Sequence, residues 1–261
     1  MKAMIFAAGL GTRLKPLTDH MPKALVPVGG RPLLDIVIER LCRAGFDDIV
    51  INVHHFADMI EEKVRKEEGE RVSNRTPVRA TLAERSGARI RLSDERKQLL
   101  ETGGGIRHAR PLLQDAERFL IHNVDILSNA NLTAFWKAGK NQAATLLVSP
   151  RETQRYLLFD DTMRLVGWTN VKTGEVRSPY PNLNADKCHR LAFSGIHQMS
   201  TSLFPLMDEW PEKFSIIDFY LSICHQQPIY GYQQPNLRLM DVGKLDTLAE
   251  AEKFLEDTII K

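Results

Sequence analysis

The sequence predicts an α/β protein with three layers, in which a mostly parallel sheet carries helices on both faces and a smaller β-rich part follows. Three observations predict it. Short apolar runs alternate with amphipathic stretches at helical spacing through about residue 150. Beyond that point closely spaced strand-like runs are separated by turn residues. The composition, 43% hydrophobic and 26% charged over 261 residues, suits a folded chain with a self-sufficient core.

Ala3–Ala8 reads as a buried strand stopped by Gly9. Pro32–Arg43 reads as a helix with Leu33, Leu34, Val37, Ile38 and Leu41 on one stripe, Pro32 at its start and Gly45 as its stop. Asp48–Val53 is a second strand and Ala57–Lys66 a second helix. Glu67–Arg96 is rich in charge, with little periodicity until Ala88–Leu92, and reads as an exposed excursion before the sheet resumes. Phe119–His122 is a strand, Leu132–Lys137 a helix and Ala144–Val148 a strand. Tyr156–Phe159, Leu165–Trp168 and Arg190–Met199 are the strands of the second part; Ile216–Cys224 and Leu245–Phe254 are amphipathic helices. The expected organisation is one unit over 1–261, with an α/β half (1–150), a β-rich part (151–241) and a closing helix (242–261).

Ligands of such sheets bind at the carboxyl ends of the strands. That rule brings Gly9–Arg13, His54-His55 and Asn123–Asp125 to one rim. Adjacent histidines at a strand end point to opposite faces, so the pair reads as a hydrogen-bonding rim rather than a joint metal site.

Thirty-five Lys and Arg against 33 Asp and Glu give a net charge of +2, which argues against a nucleic-acid-coating protein. No run approaches the roughly 20 apolar residues that span a bilayer, and the N-terminal apolar stretch is too short for a secretion signal. A cytoplasmic protein without membrane or nucleic-acid partners is expected, as monomer or homodimer. Cys42, Cys188 and Cys224 are odd in number and widely spaced, implying free thiols in a reducing compartment.

The strongest chemical signal is AAGLGTRLKPLTDHMPKALVPVGGRPLL, residues 7–34. Gly9 and Gly11 follow a strand, where glycine permits positive φ and close approach of backbone N–H groups to a phosphate. Leu14 breaks the dinucleotide fingerprint, which disfavours a dehydrogenase, and no Gly-Lys-Ser/Thr follows to make a P-loop. Arg13 and Lys23 beside the turn suit a polyphosphate. Three consecutive glycines in Glu101-Thr102-Gly103-Gly104-Gly105 open a helical pattern and form a second close-approach segment. Asp125 and Asp241 each follow an apolar run and offer hard oxygens of the kind that Mg²⁺ takes together with phosphate and water.

Together these strings resemble the sugar-1-phosphate nucleotidyltransferase family, most of all the N-acetylmuramic acid 1-phosphate uridylyltransferases and the short mannose-1-phosphate guanylyltransferase-like relatives. The resemblance implies a Rossmann-like nucleotide-binding sheet over 1–150 with an inserted sugar-binding part over 151–241. It implies a nucleoside triphosphate and a sugar 1-phosphate as partners, and Mg²⁺ on Asp125 and Asp241. Arg13 would grip the triphosphate and Lys23 the reacting phosphates, with Ala8, Gly9, Gly11, Thr12, Glu101, Gly103 and Gly104 around the nucleotide. Asn123, Ser194, Gly195 and Asp218 would face the sugar. UTP with N-acetylmuramic acid 1-phosphate is the implied pair, the alternatives being GTP with mannose or heptose 1-phosphate, or a catalytically reduced module that senses a nucleotide sugar. At 261 residues the expected chain carries no fused acyltransferase, kinase or isomerase domain.

Two departures stand out. Val124 occupies the middle of Asn-Val-Asp where the family commonly has glycine. Trp168-Thr169-Asn170 stands where many relatives carry Glu-Lys-Pro, whose lysine holds the sugar phosphate. Lys172 and Lys244 are the substitutes that the sequence suggests.

Overall fold

The computed structural model of the chain describes residues 1–69 and 87–258. Strand β1 (Lys2–Phe6) is followed by short 3-10 turns and by a small hairpin of β2 (Pro27–Val28) and β3 (Arg31–Pro32). Helix α1 (Leu33–Arg43) buries the apolar stripe read from the sequence, and Pro32 caps it. Next come β4 (Asp48–Val53), α2 (Ala57–Gly69), β5 (Arg89–Asp94), α3 (Glu101–His108), α4 (Arg110–Leu113) and β6 (Arg118–Asn123). They are followed by β7 (Ile126–Ser128), α5 (Leu132–Ala138) and β8 (Ala144–Ser149). The β-rich part contributes β9 (Arg155–Phe159), β10 (Leu165–Asn170), β11 (Glu175–Arg177) and the 12-residue β12 (His189–Ser200). The chain then runs through α6 (Phe204–Met207), α7 (Ile216–Ile223), β13 (Ile229–Gln233), β14 (Leu239–Asp241) and α8 (Thr247–Thr258).

Strands β5, β4, β1 and β6 lie side by side and parallel. Along β1, Ala3 and Ile5 join one buried cluster while Met4 joins the other, because successive side chains point to opposite faces and both faces are covered. That is why the strand reads as an unbroken apolar run.

The sheet is mixed because β12 enters antiparallel. Its second half pairs with β6, its first residues pair with β9, and β8 pairs along its middle and second half. β8 pairs in turn with β13 in parallel. The register between β12 and β8 shifts between Phe193 and His197, where Gly195 takes a φ of +72°. This bulge bends β12 so that one strand serves both the parallel half and the β9–β10–β11 sheet.

Most of the 67–96 excursion lies outside the described residues; its end, Arg89–Asp94, is the edge strand β5. The triple glycine lies inside α3 rather than in a loop before it. Cys42, Cys188 and Cys224 form no disulfide among the described residues, and Cys224 is buried. Among the described residues no helix is long and apolar enough to cross a membrane.

Candidate active site at the carboxyl rim of the sheet

Strand register builds the site. Phe6 pairs with Asn52 on one side and with Asn123 on the other, so the ends of β1, β4 and β6 are level. The segments that leave those ends, Ala7–Gly9 and Val124–Asp125, line a cavity of about 260 Å³ together with Lys23, Glu95 and Thr102. The convergence expected of the carboxyl ends is therefore present.

Polar groups pin the cavity floor. The Asn52 amide oxygen accepts from Ala7 N (2.7 Å) and Ala8 N (3.3 Å), and its nitrogen donates to Glu95 Oε1 (2.7 Å). Glu95 is 2% exposed and accepts a second bond from Leu100 N. Burial raises its carboxyl above the usual glutamate range, against the lowering effect of those two bonds. The composition of β4 and β5 gave no warning of Asn52 or Glu95; only the register puts them at the rim. His54 hydrogen-bonds the Glu95 carbonyl through Nδ1 (2.7 Å), a rim role rather than a ligand role.

Gly11 sits at φ +63°, and a Cβ there would stand 2.9 Å from Thr18 Cγ2 and 3.1 Å from Lys23 Cβ. The turn thus needs glycine twice over, for its φ and for the close packing of the two loop arms. The packing delivers Lys23, only 7% exposed, into an ion pair with Asp125. Thr12 and Arg13 lie exposed on the adjoining 3-10 turn.

β14 pairs antiparallel with β7, placing Asp241 opposite Ile126, and Val242 N donates to the Asp125 carbonyl (2.8 Å). Asp125 and Asp241, 116 positions apart in sequence, are neighbours for that reason. A Cβ on Gly243 would meet Asp241 Oδ1 at 2.8 Å and Arg13 Nη2 at 3.0 Å, so the guanidinium and carboxylate crowd the same glycine. The Asp241 side chain reaches solvent, yet its carboxyl lies above the usual aspartate range. Partial burial is the main cause and the charge of Asp125 the second; Lys23, Arg13 and Arg151 pull it down.

Two neighbouring carboxylates, one of them raised by burial and by the charge of the other, with three cations around them, fit a hard divalent ion that completes its shell with phosphate oxygens and water. Among the described residues no cluster of three or more His, Cys, Asp and Glu could hold a metal. The carboxylates at this point are therefore two, fewer than a closed protein cage supplies.

The remaining predicted residues divide. Glu101 and Thr102 line the cavity, whereas Gly103 and Gly104 turn away from it. Their N–H groups donate to the Phe214 carbonyl (2.8 and 3.3 Å), and a Cβ on Gly103 would run into the Phe214 ring. Ser194 is 1% exposed and its hydroxyl meets no protein partner, while Gly195 packs on Asn123, which faces the cavity.

Asp218 belongs to a second, larger cavity of about 630 Å³ on the β-rich part. It accepts from Arg177 Nη1 (2.6 Å), and that guanidinium lies 3.9 Å over the Trp168 ring. Arg151 and Arg155 line the same cavity. Lys172 and Lys244 line neither of the two; Arg151 lines the larger one, and its charge acts on Asp241.

A family model described as nucleotidyl transferase matches residues 2–157. The chain is 34% identical to an N-acetylmuramate alpha-1-phosphate uridylyltransferase of Caulobacter vibrioides, over 98% of this chain and 97% of that protein. It is 31% identical to a mannose-1-phosphate guanyltransferase beta-B of Xenopus laevis, over 60% of this chain and 40% of that one. A putative glucose-1-phosphate thymidylyltransferase from Bacillus anthracis shares the fold, with a TM-score of 0.74 at 16% identity over 98% of this chain and 96% of that chain.

Proposed function

The chain belongs to the nucleotidyl transferase family, and from that premise we propose how this sugar-1-phosphate nucleotidyltransferase uses its site and which substrates it takes. The observation that carries the reading is the cluster of Lys23, Arg13, Asp125 and Asp241 at the mouth of the rim cavity. The nucleotide occupies that cavity. The sugar 1-phosphate approaches from the larger one, with Asn123 and the Gly195 bulge at the junction.

In the reaction an oxygen of the sugar phosphate forms a bond to the α-phosphorus of the nucleotide. The bond from that phosphorus to the bridging β-phosphate oxygen breaks, and pyrophosphate leaves with the electron pair. The attacking phosphate is already largely dianionic at neutral pH, since its second pKa is near 6, so no side chain has to remove a proton. The work left to the protein is to align two anions and hold their charge. Arg13 holds the triphosphate, Lys23 the reacting phosphates and Arg151 the sugar phosphate, in place of the family lysine that Trp168-Thr169-Asn170 lacks. Asp125 and Asp241 would hold Mg²⁺, which when bound supplies Lewis-acid stabilisation of the phosphate charge.

The relative that matches over nearly the whole chain supports UTP and N-acetylmuramate 1-phosphate as the substrate pair. The intact cluster favours a working transferase over a nucleotide-sugar sensor. Pyrophosphate release measured across UTP, GTP, CTP, dTTP and ATP with a panel of sugar 1-phosphates tests this, with UTP and N-acetylmuramate 1-phosphate expected to be fastest. Asp125→Ala and Arg13→Ala should each lower kcat on the order of 10²–10³-fold. Full activity in either variant overturns the assignment, and a preference for GTP with a neutral hexose phosphate overturns the substrate pair.

A further inference from the structure

The floor of the larger cavity is a three-strand face whose rows the register defines. Arg155, Asn170 and Glu175 stand side by side across β9, β10 and β11. Leu157, Trp168 and Arg177 form the next row on the same face, two residues along each strand. The first row is polar; in the second, Arg177 lies over the Trp168 ring beside Leu157. Phe193 and Ile217 add to the apolar lining.

Three arginines line this cavity, and their commitments differ. Arg177 is bound to Asp218 and stacked on Trp168, so its charge is already matched and its fork is in use. Arg151 donates to the Phe193 carbonyl (3.1 Å) and lies at the side facing Asp241. Arg155 has no side-chain hydrogen bond or ion pair with any described residue. Its row neighbour Asn170 uses its amide oxygen to accept from Lys172 N (3.0 Å), which leaves the amide nitrogen to donate. A free guanidinium beside a free amide donor is a receptor for a planar anion.

A sugar 1-phosphate has only one phosphate, and the reaction requires it at the Lys23, Asp125 and Asp241 end. An anion taken by Arg155 would therefore be a second one, carried elsewhere on the sugar. We propose that the larger cavity contains a subsite for a carboxylate borne by the sugar, bound by Arg155 with the Asn170 amide, and that this subsite selects acidic sugar 1-phosphates over their neutral counterparts. The inference rests on the sugar-1-phosphate reading and adds to it the feature that separates N-acetylmuramate from N-acetylglucosamine, a lactyl ether ending in a carboxylate.

The test compares kcat/KM within two pairs that differ in the acidic group, each with whichever nucleotide the wild type uses. One pair is N-acetylmuramate and N-acetylglucosamine 1-phosphate; the other is glucuronate and glucose 1-phosphate. The wild type should favour the acidic member of at least the first pair. In Arg155→Gln that ratio should fall on the order of 10–100-fold, the value of one charge-assisted pair, through KM more than kcat. Arg155→Lys should recover part of it, since the charge returns without the planar fork. A wild type that favours the neutral members overturns the proposal. So does an Arg155→Gln variant that loses activity equally on both members, which marks a merely structural role. If the favoured nucleotide is not UTP, the substrate pair proposed above fails while the ratio still reports on the subsite. If no nucleotide supports turnover, calorimetric affinities for the same pairs give the ratio.

Discussion

At Asp241 the charge that suits a divalent cation is a cost to the protein without one. Its carboxyl is raised above the ordinary value, first by partial burial and then by Asp125. A group whose folded pKa exceeds its unfolded value binds protons more tightly in the native state. Stability therefore falls as pH rises from the ordinary aspartate range through the raised value, and the cost is fully present at neutral pH. Asp241→Asn should accordingly unfold at a higher urea midpoint than wild type at pH 7, and the gap should close below pH 4. The same variant should lose on the order of 10²–10³-fold in kcat. Added Mg²⁺ should raise the melting temperature of wild type but not of Asp241→Asn, because only a ligand that binds the folded state stabilises it. A variant less stable than wild type at pH 7 would show that Asp241 is held by favourable contacts instead. From the sequence both aspartates were legible as strand-end carboxylates; the shared environment that raises one of them depends on the β7–β14 pairing, which no local pattern encodes.

At the scale of elements, the triple glycine shows how one motif carries two readings. Consecutive glycines that open a helical pattern suggest backbone offered to a ligand. In the folded chain Gly103 and Gly104 instead let α3 pack against the segment that leads into α7. Thr102 Oγ1 accepts from Ile216 N (2.9 Å) at the same contact. This contact joins the helix bearing Glu101 and Thr102, at the rim cavity, to the helix bearing Asp218, at the larger cavity. Gly103→Ala should cost about 1–3 kcal/mol by overpacking against Phe214, measured by urea denaturation, and should raise KM for both substrates. A change in nucleotide KM alone, with stability kept, would return Gly103 to the ligand. The helical stripe of α1 and the apolar run of β1 were legible because each periodicity is local; the partner of a glycine face is not.

Across the whole molecule, β12 is the strand on which the two halves depend. It pairs with β6, β8 and β9, and the register shift against β8 falls at the Gly195 bulge. A Cβ at Gly195 would stand 2.9 Å from Asn123 Nδ2 and 3.0 Å from Ile126 Cγ1, besides needing a φ of +72°. Gly195→Ala should destabilise by roughly 1–3 kcal/mol and raise KM for the sugar phosphate more than for the nucleotide. Equal effects on both would place the bulge outside the junction of the two cavities.

The sequence by itself determined the alternation of strands and helices, the glycine turn at Gly9 and Gly11, the cations Arg13 and Lys23, and the two candidate metal carboxylates. These were readable because periodicity, positive-φ turns and phosphate-binding strings are written in contiguous residues. Only the tertiary structure decided that Asn52 and Glu95 stand at the rim, that Asp125 and Asp241 share one electrostatic environment, and that Arg151, Arg155 and Arg177 line a single cavity. Each of those facts is a matter of strand register. Register is set by pairing between segments far apart in the chain; a shift of one residue would turn strand residues such as Asn52, Arg155 and Arg177 to the opposite face and displace the loops that carry Glu95, Asp125 and Arg151.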